Sequence, residues 1–206
     1  MAGRIAMTFN RNLVEDTSTT LARRVFLVLC GSGLAGLVIF EIRRRNALAA
    51  EMATGGAAPI VTIVEFSNDG KRGSTVCVPK IVKTDEEWRA QLDRATYEIT
   101  RHADTEFAFS GAYWNLHEQG LYRCVCCDMA LFSSETKFDS GTGWPSFWAP
   151  IANENIETLE DRRFGIRTAV QCRHCDGHLG HLFDDGPPPT GLRYCINSAS
   201  LVFKKS

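Results

Sequence analysis

Gly191-Leu192-Arg193-Tyr194-Cys195-Ile196-Asn197-Ser198-Ala199-Ser200-Leu201 is the stretch on which the fold of this chain turns. Read as a strand, it sends Arg193, Cys195 and Asn197 to one face and Tyr194 and Ile196 to the other. A thiol then sits between a fixed positive charge and an amide. A guanidinium beside a thiol favours the thiolate, which is the nucleophilic form of cysteine. The alternative is a cysteine filling a small buried apolar space, the commoner fate of a lone cysteine. Arg193 argues against it, because burying that charge unpaired is costly.

Outward from this strand, everything from Thr105 to the C-terminus consists of short apolar or aromatic segments broken by Gly, Pro, Asn and Asp. That pattern predicts a mainly β, antiparallel domain with long functional loops, and there is no βαβ alternation that would indicate a nucleotide-binding sheet. A P-loop, a dinucleotide-binding glycine fingerprint and a Gly-x-Ser-x-Gly elbow are all absent. The 206 residues suffice for one domain of ordinary size with an appendage. With 23 basic and 24 acidic residues, the chain carries no electrostatic footprint for nucleic acid.

Two Cys-x-x-Cys knuckles, Cys124-Val125-Cys126-Cys127 and Cys172-Arg173-His174-Cys175, are separated by 44 intervening residues. Two residues between thiolates let a tight turn aim both sulfurs at one ion, and two such turns complete a tetrahedral four-sulfur site. Cys124, Cys127, Cys172 and Cys175 are therefore expected to hold one structural zinc per chain, with no coordination position left open. Cys126 and His174 are rival ligands inside the knuckles, and disulfides or redox dithiols are the other use of such pairs.

Between and after the knuckles lie two further motifs. Lys137-Phe138-Asp139-Ser140-Gly141-Thr142-Gly143-Trp144-Pro145-Ser146-Phe147 is a glycine-punctuated loop in which a rigid turn presents Trp144 as a pocket wall. His178-Leu179-Gly180-His181-Leu182-Phe183-Asp184-Asp185-Gly186 offers two histidines outside any zincin pattern, suited to acid or hydrogen-bond donor roles.

The N-terminal half is organised differently. Arg4, Arg11, Arg23 and Arg24 precede an apolar run from Val25 to Phe40, and Arg43-Arg44-Arg45 follows it. Sixteen helical residues rise about 24 Å, a little short of the roughly 30 Å hydrocarbon core. Residues 1–45 are thus expected to form a signal or membrane-anchor segment, with membrane contact through residues 25–40, and a buried soluble helix is the alternative. Arg23-Arg24 resembles a twin-arginine export signal, which favours the bacterial periplasm; a mitochondrial presequence is the competing account, which Glu15 and Asp16 fit poorly. Residues 46–83 are read as a linker and a β-hairpin extension, with strands at Ile60 to Phe66 and Ser74 to Val82. Thr84-Asp85-Glu86-Glu87 is a capping box that opens a helix bearing Trp88 and Leu92, and a second short helix covers Ala95 to His102.

From about Thr84 to Phe203 the chain resembles a known family, the methionine-R-sulfoxide reductases of the B type. The resemblance rests on Tyr122-Arg123-Cys124-x-x-Cys127, Lys137 to Phe147, His178-Leu179-Gly180-His181 with Asp184-Asp185-Gly186-Pro187, and Gly191 to Leu201. It implies two antiparallel sheets clamped by a structural zinc in a catalytic domain of residues 84–206. It also implies reduction of the R epimer of methionine sulfoxide, free or in oxidised proteins. Cys195 falls at the position of the cysteine that attacks the sulfoxide sulfur and becomes a sulfenic acid. Trp144, His178, His181, Phe183, Arg193 and Asn197 fall where the substrate methyl is held, the oxygen protonated and the thiolate tuned. Many members carry a resolving cysteine where this chain has Thr142, so recycling here needs Cys77, Cys126 or Cys30, or direct attack by a thioredoxin-like or other thiol reductant. Cys77 is the preferred resolving thiol, and the enzyme is expected to act as a monomer. Two other classes remain open: a catalytically inactive zinc-ribbon interaction module, and a general thiol oxidoreductase that uses a knuckle as its redox pair.

Overall fold

The computed structural model describes residues 57–163 and 165–206, and the expected signal or anchor segment of residues 1–45, with Cys30 and the apolar run, lies outside the described residues. Among the described residues, no helix is long and apolar enough to cross a membrane. Strands β1 (Ile60–Phe66) and β2 (Arg72–Pro79) pair antiparallel as the expected hairpin. Gly70, at φ 81°, takes the left-handed conformation its turn requires, with its N–H donating to the Ser67 carbonyl at 3.1 Å. The second strand stops short of the expected Val82. Past it, the Ile81 N–H donates to the carbonyl of His174 at 2.8 Å, so the chain leaves the hairpin for the second knuckle.

Helix α1 (Asp85–Gln91) starts at the predicted capping box: the Glu87 N–H donates to Thr84 Oγ1, and the Glu87 carboxylate accepts from the Thr84 N–H at 2.7 Å. Its Trp88 is buried, with Lys83 Nζ 4.8 Å and the Arg101 guanidinium 4.5 Å from the ring centre. Helix α2 (Arg94–His102) is capped by Asp93, whose carboxylate accepts from the Thr96 N–H at 3.0 Å.

The remaining strands are β3 (Gly120–Cys124), β4 (Ala130–Ser133), β5 (Lys137–Phe138), β6 (Ser146–Phe147), β7 (Ile156–Asp161), β8 (Arg167–Cys172), β9 (His178–Phe183), β10 (Arg193–Ile196) and β11 (Leu201–Lys205). They form a six-stranded sheet in the order β5-β6-β10-β9-β8-β7 and a three-stranded sheet in the order β11-β3-β4, both antiparallel. The body therefore has the two antiparallel sheets expected of it, and the hairpin adds a third. Phe132 of β4 stacks on Phe147 of β6 at 4.4 Å between ring centres, and Tyr122 of β3 meets Phe147 edge-on at 5.0 Å. These three buried rings join the sheets, each contributing about 1.5–3 kcal/mol by burial.

The run Gly191 to Leu201 is not one strand. It is β10, then a 3-10 turn at Ser198–Ser200, then β11 in the other sheet. Glu106 explains the break. Its carboxylate accepts from the N–H groups of Ser198, at 2.6 Å, and Ala199, at 3.0 Å, two donors that a continued strand would have needed to pair.

Candidate active site

Cys195 lies in the middle of β10, opposite Ser146 of β6 on one side and His181 of β9 on the other. A hydroxyl chain surrounds the thiol: Thr142 Oγ1 is 3.9 Å from Cys195 Sγ, and Ser140 Oγ is 2.8 Å from Thr142 Oγ1 and 2.7 Å from Ser146 Oγ. Gly180, the partner of Ile196 in β9, is required by close approach, because a methyl group there would strike the carbonyl oxygen of Cys195.

A cavity of about 120 Å³ opens beside the thiol. Of the residues expected to serve a substrate, it brings together Trp144, His181, Phe183 and Asn197 with Cys195. Trp144 is fixed by its Nε1–H, which donates to the Glu106 carbonyl at 3.1 Å. Asn197 is fixed at both ends of its amide: Nδ2 donates to the Leu179 carbonyl, and Oδ1 accepts from the Glu106 N–H, each at 3.1 Å. Its walls are part aromatic, at Trp144 and Phe183, and part polar, at Arg167, His181 and Asn197.

Arg193 and His178 are placed differently from the other predicted residues. Arg193 forms a bidentate pair with Asp185, Nε and Nη2 each 2.8 Å from a carboxylate oxygen, and its guanidinium lies 4.3 Å from the Phe183 ring centre. Its field at the thiol is thereby partly cancelled. This corrects the expectation of a favoured thiolate: burial pushes the Cys195 thiol above its ordinary value, outweighing the opposing pull of Thr142, Arg193 and Ser146. His178 is buried and does not line the cavity, its ring edge-on to His181 at 5.3 Å, and burial pushes its pKa down to about 4. It is therefore neutral at physiological pH.

Three residues that the sequence reading overlooked belong to the site. Asp161, at the end of β7, accepts from His181 Nε2 at 2.9 Å and from Arg167 Nη2 at 2.7 Å, and Arg167 itself lines the cavity. Glu106 braces both Trp144 and Asn197. No local signal marks them, since each is an ordinary charged residue until the sheet and the loop bring it to the cavity.

The knuckles repeat one geometry. In each, the carbonyl of the first cysteine accepts from the N–H four residues on, at 2.8 Å in the first and 2.9 Å in the second, and Asp128 or Asp176 takes the left-handed conformation that follows the second cysteine. One knuckle ends β3 and the other ends β8, so the pair ties the three-stranded sheet to the six-stranded one. The sulfurs of Cys124, Cys127, Cys172 and Cys175 all lie within 4.8 Å of one another, with Cys124–Cys175 at 3.6 Å and Cys127–Cys172 at 3.5 Å. A tetrahedron with bonds of 2.3 Å has edges of about 3.8 Å, so the cluster fits a four-thiolate metal site and is far too open for disulfides. Cys126 and His174 stand outside this cluster. Cys77 is exposed on the hairpin, its sulfur 3.7 Å from Thr62 Oγ1, in a different sheet from Cys195.

The SelR domain family matches residues 92–205. The peptide methionine sulfoxide reductase MsrB of Herminiimonas arsenicoxydans is 61% identical over 125 residues, covering 60% of this chain and 91% of that protein. The chain belongs to the MsrB family. The MsrB of Agrobacterium fabrum is 52% identical over 132 residues, 64% of this chain and 98% of the relative. Peptide methionine sulfoxide reductase B1, chloroplastic, of Oryza sativa subsp. japonica is 59% identical over 125 residues, 60% of this chain and 58% of the relative. As an MsrB, the protein is an oxidoreductase acting on sulfur that reduces methionine sulfoxide. This membership sets the interaction module aside. The cavity described above lies within the residues that match the family.

Proposed function

We propose that this MsrB reduces the R epimer of methionine sulfoxide, in oxidised proteins or free, through a sulfenic acid on Cys195. The observation that carries this reading is the meeting of Cys195, His181 and Trp144 around one small cavity, with Cys195 and His181 as cross-strand partners. The Trp144 ring and Phe183 receive the methyl group, and Asn197 and His181 face the oxygen. His181 takes the thiol proton of Cys195, and the thiolate attacks the sulfoxide sulfur. The proton then passes from the imidazolium to the sulfoxide oxygen, and as that oxygen leaves the methionine sulfur for Cys195 the transient bond between the two sulfurs breaks. The products are the Cys195 sulfenic acid, neutral His181 and methionine: one oxygen has moved, the cysteine sulfur is oxidised by two electrons and the methionine sulfur is reduced by two.

Two equivalents of thiol from a thioredoxin-like or other donor return the sulfenic acid to the thiol, giving a disulfide and water. Thr142 supports a route without a neighbouring resolving cysteine, because the residue nearest the nucleophile in that loop bears a hydroxyl. Donor attack takes place either on Cys195 directly or through the exposed Cys77. Cys124, Cys127, Cys172 and Cys175 would hold zinc, which supplies a structural tie with no open coordination position. The reductase domain is taken as residues 84–206 and the monomer as the working unit. Residues 1–45 are read as an export signal or anchor, on the strength of an apolar run flanked by arginines.

The test follows the loss of R and S methionine sulfoxide separately by chiral chromatography, using the zinc-loaded chain with dithiothreitol and Cys195→Ser in parallel. Consumption of the R epimer alone, abolished by the substitution, is the expected result. Turnover that survives Cys195→Ser would overturn the mechanism.

A further inference from the structure

His181 is the one cavity residue whose chemistry depends on which ring nitrogen it presents. Its Nε2 is 2.9 Å from Asp161 Oδ2, and both groups are nearly buried, with side chains 10% and 14% exposed. The carboxylate is itself held in place. Its Oδ1 accepts from the Arg163 N–H at 3.0 Å, and its Oδ2 also accepts from Arg167 Nη2 at 2.7 Å. These bonds hold the Asp161 carboxyl well below the usual carboxylate range, the Arg163 amide first and His181 next, so it is ionised and only accepts. An ionised carboxylate bonded to Nε2 requires a proton on Nε2. Nδ1 is then the nitrogen left to the cavity that His181 shares with Cys195.

The ionisable groups near the His181 ring come from three strands: Asp161 at the end of β7, Arg167 at the start of β8 and Cys195 across on β10. Buried His178, on the ring's own strand, is neutral. Asp161 is the sole carboxylate bonded to the ring among the described contacts.

We propose that Asp161 is a positioning residue for the reaction: it commits His181 Nε2–H to itself and so leaves Nδ1 as the nitrogen that collects the Cys195 proton and delivers it to the sulfoxide oxygen. The inference rests on the proton-transfer role given to His181 above. The proton balance is unchanged: Nδ1 gains a proton from the thiol and loses it to the oxygen, while the Nε2–H···carboxylate bond persists throughout. During the interval when the ring is an imidazolium, the carboxylate stabilises it.

The test uses the zinc-loaded full chain and Asp161→Ala, with three readouts. In the wild type, ¹⁵N NMR of labelled histidine should show His181, assigned by its loss in His181→Gln, as the neutral Nε2–H form; Asp161→Ala should mix in the Nδ1–H form. The substitution should lower kcat for methionine sulfoxide at least tenfold with KM little changed, in line with the roughly 10²–10⁴-fold worth of a positioned proton-transfer group. Zinc content and the thermal denaturation midpoint, which do not depend on proton transfer at Cys195, should stay at their wild-type values. A neutral wild-type ring protonated on Nδ1, an undiminished kcat, or a fall in kcat accompanied by loss of zinc or of thermal stability would each overturn the proposal, the last by showing general loss of structure. If the wild type failed to reduce methionine sulfoxide at all, the catalytic reading would fall, and the NMR tautomer would still decide whether Asp161 sets the ring.

Discussion

The side chain of Asn155 pairs with Val64 as a neighbouring strand would: its Oδ1 accepts the Val64 N–H at 2.8 Å and its Nδ2 donates to the Val64 carbonyl at 2.9 Å. A third bond, from Nδ2 to the Ala130 carbonyl at 2.8 Å, reaches β4. One fully buried amide thus fastens the hairpin to the three-stranded sheet. Asn155→Ala leaves those backbone groups without their partner and should destabilise the fold by about 3 kcal/mol, read from urea denaturation of the zinc-loaded protein. A loss under about 0.5 kcal/mol would mean that the hairpin is not energetically coupled to the body.

Asp185 restrains Arg193. Asp185→Asn keeps a hydrogen-bond acceptor but removes the charge that offsets the guanidinium, so the Cys195 thiol should become more acidic and its alkylation by iodoacetamide near neutrality should speed up a few-fold. Peptide-resolved mass spectrometry of iodoacetamide labelling separates Cys195 from the exposed Cys77. An unchanged rate at Cys195 would show that Arg193 does not reach the thiol electrostatically.

Burial of neutral His178 makes stability depend on pH. Its folded pKa, about 4, lies below the ordinary 6.5, so between those values the unfolded chain binds the proton and the folded one does not. Stability from this group is complete above pH 6.5 and drains away as pH falls toward 4, by at most about 3 kcal/mol. Across that window the denaturation midpoint of wild type should fall more steeply than that of His178→Gln. Parallel curves would show that the imidazole is solvated in the folded state.

The knuckles make a selective prediction about metal. Cys172→Ser removes one of the four clustered sulfurs, whereas Cys126→Ser alters a buried thiol that stands outside them. Atomic absorption should therefore find stoichiometric zinc retained in Cys126→Ser and lost in Cys172→Ser, with a large fall in Tm only in the second. Zinc loss in both would make Cys126 a ligand.

Much of this protein was determined by its sequence alone. The cysteine spacing specified the four-sulfur site because a two-residue gap is a property of one local turn, and both turns formed as that gap predicts. The capping box and the hairpin are equally local, and they appear where their residues place them. Alternation along β10 correctly put Cys195 and Asn197 on one cavity, although the strand ended sooner than its composition suggested.

Tertiary structure decided the rest. Whether Arg193 activates the thiol depended on Asp185, and the thiol's acidity depended on burial, which no spacing encodes. His178 and His181 look equivalent in the chain, yet one is buried without a hydrogen-bond partner while the other is bonded to Asp161, twenty residues away in sequence and brought near through two strand pairings. Electrostatics and solvation act through space, so they become definite only once the sheets have assembled.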